Sequence, residues 1–432
     1  MKKFKKYYKL FLKNKFLIIV FVIFLFELFL RTYQLDFKNP FGYDQVDNAW
    51  VAKNLIVNQK YPFVGMVAKT SSGIFIGPLY YYFISFFYWI FNLNPIASQI
   101  AGVISNLFTF GVIFYVTKKL FSKEVVIIAL LLNTFNFHVM IFDTVQWPVQ
   151  LLPSVSFIIF YLLYKVITGD VKKLIFLAIT VGIAFNLHFT AIFFPIIIIL
   201  SLPFFPRNKE TLKYIFLSLP FFIIWLVPNI IYSLTNKTAN PTATSYFSTY
   251  YHGFHLRRVV QIAGDGLIQF NSYSFLDKLT PLKFIAVPLF FLLYLYKSIS
   301  RKKLIFCYLV LLWFVAPWFV FATYSGEISD YYFSINRFIA LLIISYFFAR
   351  VWMINNIIPK LVIIIVLFCI AVISVIAYLP YKDAGLAERE KTVLDAIEQG
   401  RRIGFQQGVP ESYLYYYFMR QKGVDVYDSK EK

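Results

Sequence analysis

Apolar stretches long enough to cross a lipid bilayer as helices, about 20 residues each, recur along the chain and are separated by short polar segments. Eleven spans are predicted, at about 16–33, 98–117, 125–142, 151–168, 174–188, 190–205, 214–232, 284–298, 304–323, 338–353 and 360–378. A further apolar stretch, Ile74 to Phe91, is crowded with Tyr80, Tyr81, Tyr82 and Tyr88. Tyrosine favours the membrane–water interface. Whether this stretch crosses sets the topology of everything after it.

The distribution of lysine and arginine decides. Seven lysines lie between Lys2 and Lys15, ahead of the first span, and basic residues mark cytoplasmic ends. If residues 74–91 stay in the interface, the clusters Lys118–Lys119–Lys123, Lys165–Lys172–Lys173, Arg207–Lys209–Lys213, Lys297–Arg301–Lys302–Lys303 and Arg350–Lys360 fall on the same side as the N-terminus. If the stretch crossed, those clusters would all move to the opposite side. The predicted topology therefore has the N-terminus cytoplasmic and the C-terminus outside. The external segments are a loop at 34–97 with interfacial helices, short turns near 143–150, His188 and 324–337, a large loop at 233–283 and a tail from 379.

This divides the chain into a transmembrane domain, 1–378, and a small extracytoplasmic appendage, 379–432. The appendage reads as α/β. Glu388–Arg402 and Glu411–Gln421 have helical patterns, and Ile403–Phe405 and Val424–Tyr427 have strand patterns.

Composition agrees with a membrane protein: 59% hydrophobic, 21% aromatic and only 15% charged. The net charge of +21 does not point to nucleic acid, because the basic residues sit in short clusters between spans rather than on one face. Cys307 and Cys369 both fall in apolar spans, where cysteine behaves as a small hydrophobe. The first span is too long for a cleavable leader, and no small-residue cleavage site follows it.

Chemistry is expected in the external layer. The segment Tyr43-Asp44-Gln45-Val46-Asp47 follows the first span in a chain with 21 acidic residues against 42 basic. Val46, Ala49, Trp50, Lys53 and Ile56/Val57 recur at three- and four-residue steps, so an amphipathic helix along the membrane is predicted. Asp44 and Asp47 share its first turn. Both have a structural alternative, since Asp44 suits an N-cap and Asp47 the reciprocal position of a capping box. Glu27 and Arg31, four apart, are predicted to neutralise one another on one helix face. Asp143 stands among uncharged neighbours at membrane depth, where a lone carboxylate is costly unless used.

Several motifs occur in order: Asp44 after the first span, Gly77-Pro78-Leu79, Lys118-Lys119-Leu120-Phe121, Trp147-Pro148 with Leu151-Leu152-Pro153, and Asn186-Leu187-His188-Phe189-Thr190. Together they resemble the GT-C membrane glycosyltransferases, most closely the bacterial glycosyltransferase family 39 that includes protein O-mannosyltransferase-like and aminoarabinose transferase-like proteins. The likeness runs through residues 10–200 and then follows the general layout to 380. It departs from the family pattern in four places. The usual Asp-Glu is Asp44-Gln45, the asparagine of Trp-Asn-Pro is missing at Trp147-Pro148, Lys69 is only a loose match for a lysine that relatives place beside the proline motif, and Asp143 stands where relatives often carry an arginine.

The resemblance implies an all-α polytopic GT-C fold and an inverting transfer of a hexosyl or pentosyl group. The donor would be a polyprenyl-phosphate sugar, and the acceptor hydroxyl would belong to a protein, lipid or cell-envelope glycan outside the plasma membrane. Asp44 matches the family's catalytic aspartate and would be the general base, with Asp47 and Asp143 as further candidate acids. Lys69, His188, His252, His255, Arg257, Arg258 and Arg337 are candidates for the donor phosphate, with Tyr43 and Trp147 beside the substrate. Arg257-Arg258 could equally face anionic lipid, Arg337 could pair with Glu327 or Asp330, and His188 could satisfy a local turn. Asp44, Asp47 and Asp143 could offer oxygens to a divalent metal, but no obligatory metal is expected. Two other classes stay open: a transporter or flippase of a lipid-linked saccharide, and a non-catalytic GT-C relative. The transporter reading lacks two matching halves, and the non-catalytic one rests on Gln45 and the missing asparagine.

Overall fold

A computed structural model describes residues 14–69, 72–236, 239–271, 282–383 and 385–427. The lysines before residue 14, Thr70 and Ser71, and Lys237 and Lys278 of the large loop lie outside the described residues. The chain folds as a helical bundle, and among the described residues only isolated β-bridges occur.

Each predicted span coincides with a helix or a bent helix pair. By length and composition, five helices are able to cross a membrane: Ile96–Leu120, Pro148–Ile167, Arg301–Phe321, Asp330–Trp352 and Ile357–Tyr378. Two bent pairs, Lys123–Thr134 with Phe137–Asp143 at 67° and Lys209–Ile223 with Val227–Thr235 at 51°, raise the number to seven. The remaining predicted spans fall on Lys15–Thr32, which carries Lys15, Glu27 and Arg31, and on the shorter apolar helices Lys173–Phe185, Phe189–Phe204 and Lys283–Leu295. Length and composition alone thus establish fewer crossings than eleven, and the chain is a multi-pass membrane protein.

The tyrosine-rich stretch forms the helix Leu79–Ile90. Its 12 residues span about 18 Å at 1.5 Å per residue, well short of a hydrocarbon core of about 30 Å. Ile84, Phe87 and Tyr88 bury against Val46, Ala49 and Trp50 of the Tyr43–Asn58 helix, in a core separate from that of the main bundle.

The tail shares this second core. Tyr413, Leu414, Tyr416 and Tyr427 join Val46, Trp50 and Tyr88 in one apolar cluster. Four tail rings surround the indole of Trp50: Tyr413 at 5.1 Å, Phe405 at 5.2 Å, Tyr416 at 5.4 Å and Tyr427 at 5.9 Å between centroids. Lys38 pins the tail's starting point. Its buried ammonium donates to the carbonyls of Tyr378, Leu379 and Tyr381 at 2.6, 2.9 and 2.7 Å, so it caps the end of the Ile357–Tyr378 helix.

The α/β reading of the tail needs correction. Helices run over Leu386–Glu398 and Pro410–Gln421, but residues 403–405 and 424–427 form no strands. They meet through side chain to backbone bonds, Tyr427 to the Ile403 carbonyl at 2.8 Å and Arg402 to the Val426 carbonyl at 3.2 Å. Segments of three and four residues offer too few backbone pairs to build a ladder when Trp50 already captures Phe405 and Tyr427.

Trp50→Ala empties the centre of this core and is expected to cost about 3–5 kcal/mol. Limited trypsin digestion should cut at Arg401–Arg402 faster than in the wild type; an unchanged rate would show that the tail does not depend on Trp50.

Candidate active site

The Tyr43–Asn58 helix starts at Gly42, and this start settles what Asp44 is not doing. The N-cap is Gly42, whose N–H donates to Gln45 Oε1 at 2.9 Å, while the Val46 N–H donates to the Gly42 carbonyl at 2.9 Å. Gln45 therefore fills the reciprocal position of the capping box, and Asp44 is corrected from N-cap to a position inside the first turn. No hydrogen bond from the described residues engages the Asp44 carboxylate. It is half-buried, and burial together with the nearby Asp47 pushes its pKa up from the ordinary carboxylate value. Asp47 is committed instead: the Tyr81 hydroxyl donates to it at 2.6 Å, and Gln407 of the tail faces it. Burial nonetheless holds the Asp47 pKa above its usual value. Tyr43 is exposed at the other side, its ring lying against Gly408, where a Cβ would overlap it.

A seam of buried amides and hydroxyls leads away from this turn. Gln45 Nε2 donates to the Gln146 carbonyl at 2.7 Å; the Gln146 side chain donates to the Tyr80 hydroxyl and accepts from Ser98 at 2.8 Å. Asn106 and Gln150 both donate to the Asp143 carbonyl at 2.8 Å. Beyond lies a buried ion cluster. Asp143 Oδ2 is 3.2 Å from Arg31 and Oδ1 is 3.1 Å from Arg337, while Glu27 is 3.4 Å from Arg31. Arg31 also donates to the carbonyls of Thr134 and Asn133.

Two expectations change here. Asp143 is not a lone acid, since both its oxygens are held by guanidinium groups. Arg337 pairs with Asp143 rather than with Glu327 or Asp330, because a buried guanidinium needs a buried counter-ion and Glu327 is exposed. The Glu27–Arg31 pair is present, as one half of this larger cluster.

Trp147, next to Gln146, opens onto a cleft of about 310 Å³ lined by Phe142, Trp147, Gln269, Asp330, Tyr331 and Arg337. The Arg337 guanidinium lies over the Phe142 ring at 4.5 Å, and Trp147 meets Tyr331 edge-on at 5.0 Å. His188 packs on Tyr331 and Tyr332 at 5.7 and 5.4 Å. Its Nδ1 bonds the Thr190 hydroxyl at 2.9 Å and caps a short 3-10 turn, and burial pushes its pKa down to about 3, so the ring is neutral. Lys69 sits over Tyr332 at 6.0 Å and 3.9 Å from the Glu327 carboxylate. A second cleft, about 410 Å³, gathers His252, His255, Arg257, Arg258 and Gln261 against residues 322–325, with Arg258 donating to the Gly326 carbonyl at 3.2 Å.

The segment 324–337 is the common wall: it meets Lys69, Trp147, His188 and Arg258. Tyr80, Tyr81, Tyr331 and Tyr332 were not marked as site residues in the sequence because tyrosine near span ends reads as interface, and Gln146 belongs to none of the motifs. Two of the quoted motifs do meet. The Gly77 N–H donates to the Phe185 carbonyl and the Leu79 N–H to Asn186 Oδ1, both at 3.2 Å, and a Cβ at Gly77 would overlap the Asn186 amide. No group of three His, Cys, Asp or Glu residues able to hold a metal ion occurs among the described residues.

Residues 76–232 match the family model of dolichyl-phosphate-mannose-protein mannosyltransferases. In structure the chain is similar to ArnT from Cupriavidus metallidurans bound to undecaprenyl phosphate, with a TM-score of 0.53, 12% identity, and coverage of 94% of this chain and 76% of that one. The apo form of the same protein matches with a TM-score of 0.51, 13% identity, and 95% and 75% coverage. An Archaeoglobus fulgidus oligosaccharyltransferase in complex with Zn and sulfate matches at 0.54 and 11% identity, covering 88% of this chain and 55% of that one. No curated protein matches by sequence. The chain has the GT-C fold of the membrane glycosyltransferases. Within that fold, the mannosyltransferase model covers the part running from Gly77-Pro78-Leu79 through Trp147-Pro148 to Asn186-Leu187-His188.

The geometry separates the two acids by consequence. Asp143→Ala leaves Arg31 and Arg337 buried with reduced compensation and should cost about 3–5 kcal/mol, whereas Asp44→Asn should stay within about 0.5 kcal/mol. Thermal unfolding in detergent compares them, and equal losses would contradict this assignment.

Proposed function

We propose that the chain is an inverting glycosyltransferase that moves a hexosyl or pentosyl group from a polyprenyl-phosphate donor to an acceptor hydroxyl on the outer side of the plasma membrane, with Asp44 as general base. The observation that carries this reading is that Asp44 is a half-buried carboxylate relieved of capping by Gln45 and of pairing by Asp47's bond to Tyr81. The GT-C fold and the lipid phosphate bound by ArnT support the choice of donor.

The acceptor oxygen attacks the anomeric carbon as its proton passes to Asp44, and the bond from that carbon to the phosphate oxygen breaks with its electron pair leaving on the phosphate. Backside displacement inverts the centre. The leaving phosphate needs cations and donors. His252, His255, Arg257 and Arg258 around the 410 Å³ cleft, with Lys69 across the 324–337 wall, supply them. Neutral His188 contributes shape and a ring face rather than charge. Trp147 and Tyr331 offer apolar faces to a sugar ring, and Tyr43 stands exposed at the rim. Acceptors in this reading are protein, lipid or glycan hydroxyls of the cell envelope. No obligatory metal is assigned, because Asp143 is engaged by two arginines and Asp47 by the Tyr81 hydroxyl, leaving Asp44 as the one uncommitted acid of the three.

In proteoliposomes supplied with a polyprenyl-phosphate sugar, Asp44→Asn should lower transfer by about 10²–10⁴-fold while undecaprenyl phosphate binding stays within about twofold of wild type. Intact transfer would refute the assignment. Because burial and Asp47 raise the Asp44 pKa, Asp44 ionises only above the usual range near about 4. The acid limb of kcat/KM should therefore lie above that range, and adding a chelator should leave the rate unchanged.

A further inference from the structure

Gln45 is 4% exposed, and its amide is divided between two backbone groups. Oε1 accepts the Gly42 N–H at 2.9 Å and Nε2 donates to the Gln146 carbonyl at 2.7 Å. The first bond closes the start of the helix that bears Asp44. The second ties that start to the turn whose next residue, Trp147, lines the aromatic cleft. Gln146 is itself held by Ser98 and Tyr80, so the anchor is rigid rather than a surface contact.

We infer that Gln45 is a positioning residue that sets Asp44 against the Trp147 side of the site through two bonds that an ionised carboxylate could not make together. This rests on the reading of Asp44 as the base. Glutamate in its place could still accept from Gly42, but an ionised carboxylate has no proton to give the Gln146 carbonyl, and two oxygens at that separation repel. A protonated carboxylic acid would restore the donor. The titratable groups tied to this position are Asp44 and Asp47 on its own helix, Tyr80, which shares Gln146 with it, and Tyr81, which holds Asp47; Asp143, at the end of the Phe137–Thr144 helix, is engaged by Arg31 and Arg337. Nearby carboxylates and burial both keep a glutamate at 45 protonated to higher pH than in the unfolded chain. Its stabilising contribution is therefore present at low pH and lost as pH rises through its folded value.

The test compares full-length wild type, Gln45→Glu and Gln45→Leu in proteoliposomes, reading the pH profile of transfer, kcat against KM, and the melting temperature at pH 5 and pH 8. Wild type should rise through one acid limb to a plateau. Gln45→Glu should add a falling limb at higher pH, with kcat about 10–100-fold below wild type there and donor KM within about twofold. Its melting temperature should drop more between pH 5 and pH 8 than that of wild type. Gln45→Leu should be slow at every pH with no added limb. A Gln45→Glu protein with the wild-type profile and melting slope, or with higher activity than wild type, overturns the inference. If wild type transfers no sugar at all, the glycosyltransferase reading fails and the catalytic role of Gln45 with it. That case is told apart by the melting slope, which reports the bond to Gln146 independently of any reaction.

Discussion

Acidic and basic side chains inside an apolar bundle must be compensated, and Glu27, Arg31, Asp143 and Arg337 stand 3.1–3.4 Å from their partners. An uncompensated charge at such depth costs several kcal/mol, so the elements that carry these groups have little freedom to move apart. The first helix, the bent Phe137–Thr144 segment and the Arg337–Trp352 helix are thereby held together. The turn that follows Asp143 inherits its position from this cluster, and Asn106 and Gln150 secure the backbone at the same point. Through Gln146 and Gln45, the place of Asp44 follows from charge neutralisation roughly a hundred residues away in sequence.

The helix bearing Asp44 is restrained a second time by apolar packing. Its first turn is held by amide bonds and its middle by the ring cage around Trp50. The tail is folded onto this helix rather than standing apart, and it brings Gln407 and Gly408 to the first turn beside Asp47 and Tyr43. The last apolar helix delivers the tail there because Lys38, from the segment just after the first span, satisfies its terminal carbonyls. What looks in sequence like two distant external pieces is one structural unit with one core.

Much of this was legible from residue pattern alone. Twenty-residue apolar runs carry their own hydrogen bonding as helices, and so coincide with helices wherever they occur. The period through Val46, Ala49, Trp50 and Lys53 marked the buried face of the Tyr43–Asn58 helix, and the i, i+4 spacing of Glu27 and Arg31 marked their pairing. Less legible were choices between adjacent residues. Asp44 and Gly42 are both good caps, and the outcome turned on where Gln45 could reach a carbonyl of another segment. The tail strands failed to form because nearby rings offered better partners than short backbone ladders.

Local physics, then, belonged to the sequence: which runs are helical, which helix faces are apolar, and that Asp44 stands at the head of an amphipathic helix. Partnership belonged to the tertiary structure. Asp143 reads identically in sequence whether it stands alone or between two arginines, and only the approach of Arg31 and Arg337 shows that it is paired. The same holds for Tyr81, Gln146 and the 324–337 wall. Electrostatic pairing and hydrogen bonding act over a few ångströms of space, and separation along the chain does not encode which groups will come that close.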